Sequence, residues 1–373
     1  MGELVLRAPG TRVELLVGLS RERARFQQDR ASHGHVSLMQ RDEWSELEPG
    51  RPTWMLATLD TDGLCTDAIV LSVHHSRALP RHVILRAEHL RPCPVGSAVR
   101  ATTLRGLRDL ARRNSNVLRV HLQFLLDPVA GDDLSHEMHD AGFEGARFPS
   151  GYGTTAVVGL NRDEDEIFAG FHKTARYNVR SAEKRGAVLR PVTDPNEAPR
   201  LRQLADETFG RTGGSVDRRA WEAVIRLSAR HPTLSRLIGL YDPDVEGADA
   251  LLSFAWGCFH GDHGQYYFAA STRRTEKKIS LGYAPVWDLV KWSRRLGGRW
   301  FDLGGITVGT ADDADPLGGI SDFKRYFSSE IHQVGFEWQF EPHPAKAWAA
   351  NTIGALLRRA SETLAQVQPQ PDR

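Results

Sequence analysis

The sequence predicts an α/β protein made of two similar domains, and three observations carry that expectation. The chain has 373 residues, more than one hydrophobic core usually serves. Apolar residues make up 40% and charged residues 25%, the balance of an ordinary globular chain, so both parts can bury a core. Two distant stretches also read alike: LRGLRDLARRNSNVLRVHL from Leu104 and APVWDLVKWSRRLGGRWFDL from Ala284. Each gives an amphipathic helix, a short turn and a strand.

In the first copy Leu104, Leu107 and Ala111 share a helical face, and RHVILR from Arg81 is the preceding strand. A central helix is predicted from after Asn161 to Gly186. Asp163, Glu164, Asp165 and Glu166 suit its positive N-terminus, and Lys184 and Arg185 suit its last turn. Ile167, Phe171, Ala175, Val179 and Ala182 fall on one stripe, which assigns the core face. A helix through Leu201, Leu204 and Thr208 follows, then the glycine-rich GRTGG and another helix from near Arg218. LLSFAWGCF and GQYYFAA flank the turn-like HGDHG and predict a hairpin. In the second copy Val286, Leu289 and Val290 line the helix face. Ile353, Leu356, Leu357, Ala360 and Leu364 predict a final helix docked by one side.

Charge and motifs narrow the function. Lys plus Arg number 48 against 47 Asp plus Glu, so no global field gathers polyanions, and any such site is local. Cys65, Cys93 and Cys258 lack CxxC spacing and fit a reducing cytoplasm. Arg7, Arg12 and Glu14 interrupt the first apolar runs, which argues against a signal peptide or membrane insertion. HEMHD from His136 misses the HExxH spacing, and neither a GxSxG elbow nor a Gly-Lys-Ser/Thr phosphate loop is present. No metal and no cofactor are therefore expected. KKISLGYA from Lys277 only approximates a coenzyme A pyrophosphate loop, which leaves an acetyl-CoA transferase as a rival reading.

Opposite the apolar stripe of the central helix, Lys173, Arg176, Arg180 and Lys184 recur at steps of three, four and four. Stacked like charges repel, and a nucleic-acid backbone would relieve that cost. A solvated face is the plainer reading of such a run taken alone.

Context comes from FHKTARYNVRSAEKRGAVLR, Phe171 to Arg190, and from WFDLGGI, LGGISDFKRYF and VGFEW further on. These blocks resemble the Fem aminoacyltransferases: a basic helix before a glycine, an aspartate-glycine-glycine strand end and a Phe-Lys motif. The resemblance implies two tandem GNAT-like (acyl-CoA N-acyltransferase-like) domains with a central cleft and no coiled-coil arm. It divides the chain into residues 1–150 plus 341–373, on the acceptor side, and residues 151–340, which hold the chemistry. It further implies aminoacyl-tRNA as donor and a peptide amine of a peptidoglycan precursor as acceptor. The same reaction on a small peptide or antibiotic intermediate is an alternative, because the first domain matches faintly, and so is a noncatalytic duplicate that binds RNA or peptide.

The same resemblance makes Lys324 the group that stabilises the oxyanion of the attacked ester, with Phe323 packing nearby against core or nucleotide. It brings Arg211 toward an acceptor phosphate. Gly304 and Gly305 suit a strand splaying at a cleft, and Asp302 is a strut beneath them in preference to a general base. Of Tyr266 and Tyr267, alternation lets one face substrate while the other joins the core.

Overall fold

The computed structural model describes residues 6–8, 11–33, 36–91, 98–125, 134–147, 149–212, 219–273, 279–307, 309–310, 315 and 318–367. In the first part, β1 (Leu6–Ala8), β2 (Thr11–Val17), α1 (Arg21–His33), β3 (Thr53–Leu59), β4 (Cys65–His75) and β5 (Val83–Leu90) lead into α2 (Ala98–Arg113) and β6 (Val117–Leu125). α3 (Ser135–Asp140) and the short β7 (Glu144–Gly145) follow. The second part runs β8 (Thr154–Gly159), α4 (Glu164–Gly170), α5 (Lys173–Lys184), β9 (Val188–Pro191), α6 (Ala198–Thr212), α7 (Trp221–Arg230), β10 (Ser235–Tyr241), β11 (Leu251–Phe259) and β12 (His263–Ser271). It closes with α8 (Tyr283–Arg295), β13 (Trp300–Gly305), α9 (Gly318–Arg325) and β14 (Ile331–Gln333), before β15 (Gly335–Phe340) and α10 (Pro344–Val367).

The strands form an eight-stranded sheet, β1-β2-β3-β4-β5-β6-β15-β7, and a seven-stranded sheet, β14-β8-β13-β12-β11-β10-β9. The two similar stretches occupy equivalent places. β5 pairs with β6 in parallel across α2, and β12 pairs with β13 in parallel across α8, while the other pairings described are antiparallel. A parallel pair needs a crossover, so one β-α-β pattern recurs where each sheet requires it.

Each sheet is covered on both faces. Leu104, Leu107, Leu110 and Ala111 of α2 pack with Val13, Leu56, Leu85 and Val120, and Phe26 of α1 covers Met55, Ala57 and Leu59 on the other side. In the second sheet α6 and α7 bring Leu201, Leu204, Trp221 and Ile225 to one face, and α4, α5 and α8 cover the opposite face.

Three expectations need correction. The central helix is two helices, broken at Phe171 and His172. His172 caps α5 by accepting from the Thr174 amide and donates its own amide to the Tyr326 carbonyl. The apolar stripe runs through the break at unchanged spacing, which hid it. The chain also re-enters the first sheet at Gly335, where β15 pairs with β6, earlier than the Glu341 boundary read from sequence. Finally, α10 docks incompletely: Trp348, Leu356 and Leu357 are exposed. Cys93 and Lys277 lie outside the described residues, and among those described no helix is long and apolar enough to cross a membrane.

Candidate active site

β12 and β13 pair only through His263–Gln265 and Trp300–Asp302. Beyond that the strands part, and Gly304, Gly305, Tyr266 and Lys324 gather at the opening.

α9 brings Lys324 there. Phe323 packs edge-on to Tyr283 at 4.8 Å and to Phe327 at 5.4 Å. Gly282 makes room for it, since a Cβ there would lie 3.3 Å from the ring. Phe323 therefore anchors α9 to the core while staying partly exposed. The neighbouring Lys324 is buried, and its Nζ donates to the Gly305 carbonyl at 2.6 Å and sits 5.8 Å over the Tyr266 ring. Burial pushes the ammonium down to about 8, with the Asp302 charge opposing the shift.

Asp302 is fully buried and accepts from the Tyr152 hydroxyl, the Thr155 hydroxyl and the Gly304 amide, the last at 2.7 Å. With its oxygens engaged, the carboxylate braces the turn. Gly304 has φ +76, a left-handed conformation that favours glycine, and a Cβ there would stand 3.2 Å from Lys324 Nζ. At Gly305 a Cβ would lie 2.5 Å from that of Tyr152.

A chain of hydrogen bonds links this brace to the first domain. Gln265 Nε2 donates to the Tyr152 oxygen at 2.5 Å, and Gln265 Oε1 lies 3.1 Å from His260 Nε2. His260 Nδ1 is 2.8 Å from Ser37 Oγ. Tyr152, Thr155, Gln265, His89, His260 and His263 escape the sequence reading because they are scattered in the chain and match no spacing pattern. GYGTT, with a tyrosine between glycines just before a strand, is the one local signal.

Tyr266 and Tyr267 face opposite sides of the sheet. Tyr266 packs with the α4, α5 and α8 side, and Tyr267 contacts Trp44 and Trp256 at centroid distances of 5.5 and 4.6 Å. A register shift in the β11–β12 pairing, between Trp256 and Gly257, lies opposite Tyr267. Tyr267 lines a cavity of about 1040 Å³ between the two parts of the chain. Arg23, Arg41, Arg51, Arg77 and Arg86 of the first domain and Arg219 of the second surround it, against Glu48 and Glu88, with Trp44, Phe209 and Trp256 as apolar walls. Arg211 is not in this wall. It donates to the Ser271 carbonyl at 2.9 Å and ties α6 to the end of β12 instead.

Lys173, Arg176, Arg180 and Lys184 line one groove along α5, together with Tyr177, which is 66% exposed. Two of the four also have structural partners: Arg176 donates to the Ala169 carbonyl, and Arg180 lies 5.0 Å over Phe168.

Residues 169–325 match the family described as acetyltransferase (GNAT) domain. No curated protein matches the chain. Among solved structures, FemX is similar with 16% identity and a TM-score of 0.70 over 90% of this chain and 100% of its own. L-PGS from Bacillus licheniformis and the C-terminal domain of a putative lysylphosphatidylglycerol synthetase from Agrobacterium fabrum are each 13% identical, with TM-scores of 0.53 and 0.51. Both matches cover 90% of this chain and 96% of the neighbour. Identities this low speak to fold. Residues 169–325 thus match an acetyltransferase (GNAT) domain across the candidate site and the chain shares the fold of FemX, so the resemblance to the Fem family read from sequence holds at the level of a two-domain, GNAT-like fold.

Proposed function

We propose that this protein is a tRNA-dependent aminoacyltransferase that moves an amino acid onto an amine of a peptidoglycan precursor peptide. The observation that carries the reading is a cationic helix whose N-terminal end packs against the segment that bears a buried ammonium. α5 is capped by His172, whose ring stacks on Tyr326 at 5.0 Å, two residues from Lys324. A tRNA arm along Lys173, Arg176, Arg180 and Lys184 directs its aminoacyl end toward the splayed strands. Such a donor belongs to the cytoplasm.

The chemistry asks little more. The acceptor nitrogen attacks the ester carbonyl, a C–N bond forms, and negative charge collects on the carbonyl oxygen. Lys324 has three N–H donors and spends one on Gly305, which leaves donors for that oxyanion. The ester C–O bond then breaks, the ribose oxygen takes a proton and the amine loses one. The acceptor occupies the arginine-rich cavity, where six guanidiniums against two carboxylates favour phosphate groups and the aromatic wall favours a flat ring.

The test is incubation with labelled aminoacyl-tRNAs, uridylyl and lipid-linked precursors, and acetyl-CoA as rival donor, with products identified by mass. A ribonuclease-sensitive aminoacyl product is expected. Transfer from acetyl-CoA at comparable efficiency overturns the proposal.

A further inference from the structure

Three imidazoles meet where the first domain touches the second. His89 lies in β5, His260 in the turn after β11, and His263 at the start of β12. They are 5%, 0% and 0% exposed, and one potential ligand atom from each lies within 4.8 Å of the others. Buried polar nitrogens almost always find partners. Yet His89 Nδ1 and His263 Nε2 have none among the described residues.

The surroundings orient these rings. His263 Nδ1 is 2.7 Å from Asp262 Oδ1, and Arg91 grips the same carboxylate through Nη1 at 2.9 Å and Nη2 at 2.5 Å. The carboxylate can only accept and stands closer to Nδ1 than the Arg91 Nη1 donor at 3.2 Å, so Nδ1 carries the proton and Nε2 presents a bare lone pair. A carboxylate behind one imidazole nitrogen is how ligating histidines are commonly aimed. His89 has φ +53, and among the described residues no other non-glycine has a positive φ. That backbone cost is borne at a bulge between Ala87 and Leu90, where the imidazole stacks 4.7 Å from His260.

We propose that His89, His260 and His263 bind one first-row transition ion of the Zn²⁺ type and that this ion staples the two domains. Imidazole nitrogens suit such ions, and Zn–N bonds of ~2.0–2.1 Å draw the three ligand atoms closer than they now stand. His260 ligates through Nε2 by releasing Gln265 Oε1, and its Nδ1 keeps Ser37 as the partner that fixes the ring. Trp300, stacked 4.1 Å from His263, closes one side.

The test uses the full chain and the metals alone. Protein is treated with chelator, loaded with Co²⁺ or Zn²⁺, freed of excess by gel filtration, and assayed for metal content and visible absorption. The expected result is on the order of one ion per chain, an intense tetrahedral Co²⁺ spectrum, and a melting temperature that rises with Zn²⁺. His89→Asn keeps a residue that tolerates the left-handed backbone but removes a ligand, and should weaken retention at least ~10-fold. His136→Asn, outside the cluster, should change nothing. Wild-type protein that is folded by circular dichroism but retains no ion overturns the proposal without recourse to any variant. Equal retention by a folded His89→Asn overturns it too, since the ion then sits elsewhere. None of these readouts depends on aminoacyl transfer.

Discussion

Lys324 holds an ammonium where burial works against its charge, and two predictions rest on that opposition. If the cation stabilises the oxyanion, Lys324→Ala should lower kcat ~100-fold or more while KM for donor and acceptor moves little. The rate of the wild type should fall as pH rises through about 8, where the group loses its proton. Lys324→Arg should be slower but lack that descending limb, because guanidinium stays charged. Initial rates on both sides of pH 8, corrected for spontaneous ester hydrolysis, check this. The stability sign is separate. The folded value lies below the ordinary lysine value of 10.5, so the unfolded chain binds more protons between about 8 and 10.5, and stability rises with pH across that window. Lys324→Met should flatten the rise. Gly304→Ala should cost about 1–2 kcal/mol, because φ +76 disfavours a side chain and the new methyl crowds Lys324 Nζ. Urea midpoints measure it.

At the scale of elements, α5 shows which charges are free to bind. Arg176 and Arg180 also contact Ala169 and Phe168, so reversing them would disturb packing along with charge. Lys173 and Lys184 are exposed and make the cleaner test. Lys173→Glu with Lys184→Glu should lower tRNA affinity and flatten the slope of log K against log salt by ~0.7–0.9 per lost phosphate contact. An unchanged slope would leave the groove a solvated face. β15 offers a test of pH. Glu337 accepts from the amides of Ser150 at 2.8 Å and Gly151 at 2.5 Å and pairs with His121 at 2.6 Å. Burial alone would raise it, but these partners hold it at about 2. Its contribution is therefore present above 4.5 and lost as pH falls toward 2, so Glu337→Gln should destabilise the protein at neutral pH and lessen its acid sensitivity. Elements with a strong period were legible in the sequence, and the repeated β-α-β unit was legible twice because a parallel pair demands the same pattern each time. The break at His172 was not, since a cap formed by a histidine and the Tyr326 carbonyl just after α9 leaves no mark on hydrophobic spacing. Tyr152, Thr155 and Gln265 reach Asp302 only through the fold. The return of β15 to the first sheet was hidden likewise, because strand partners are set by topology and not by local pattern.

Across the whole molecule, function depends on how firmly the two domains hold their cleft. The arginine cavity takes its walls from both, and Leu38 and Trp44 of the first domain pack into the core of the second. Polar contacts are fewer and more exacting: Ser37 to His260, Arg230 to Glu46 at 3.0 Å, and Arg91 to Asp262. The last is the strongest candidate for a clasp, since its guanidinium is 20% exposed and its carboxylate 2%, and two N–H groups meet two oxygens. The partners hold Asp262 at about 2 although burial alone would raise it. Removing one member of such a pair strands the other, which typically costs ~3–5 kcal/mol. Arg91→Ala should therefore lower the urea midpoint. It should also separate the unfolding of the halves, so that tryptophan fluorescence and far-ultraviolet circular dichroism no longer change together. The acceptor should then bind more weakly, with KM raised more than kcat is lowered, because the cavity wall moves while Lys324 and its glycine turn stay in place. A single coincident transition at the wild-type midpoint would mean that the apolar seam around Leu38 and Trp44 suffices to dock the domains, and that Arg91 only orients His263.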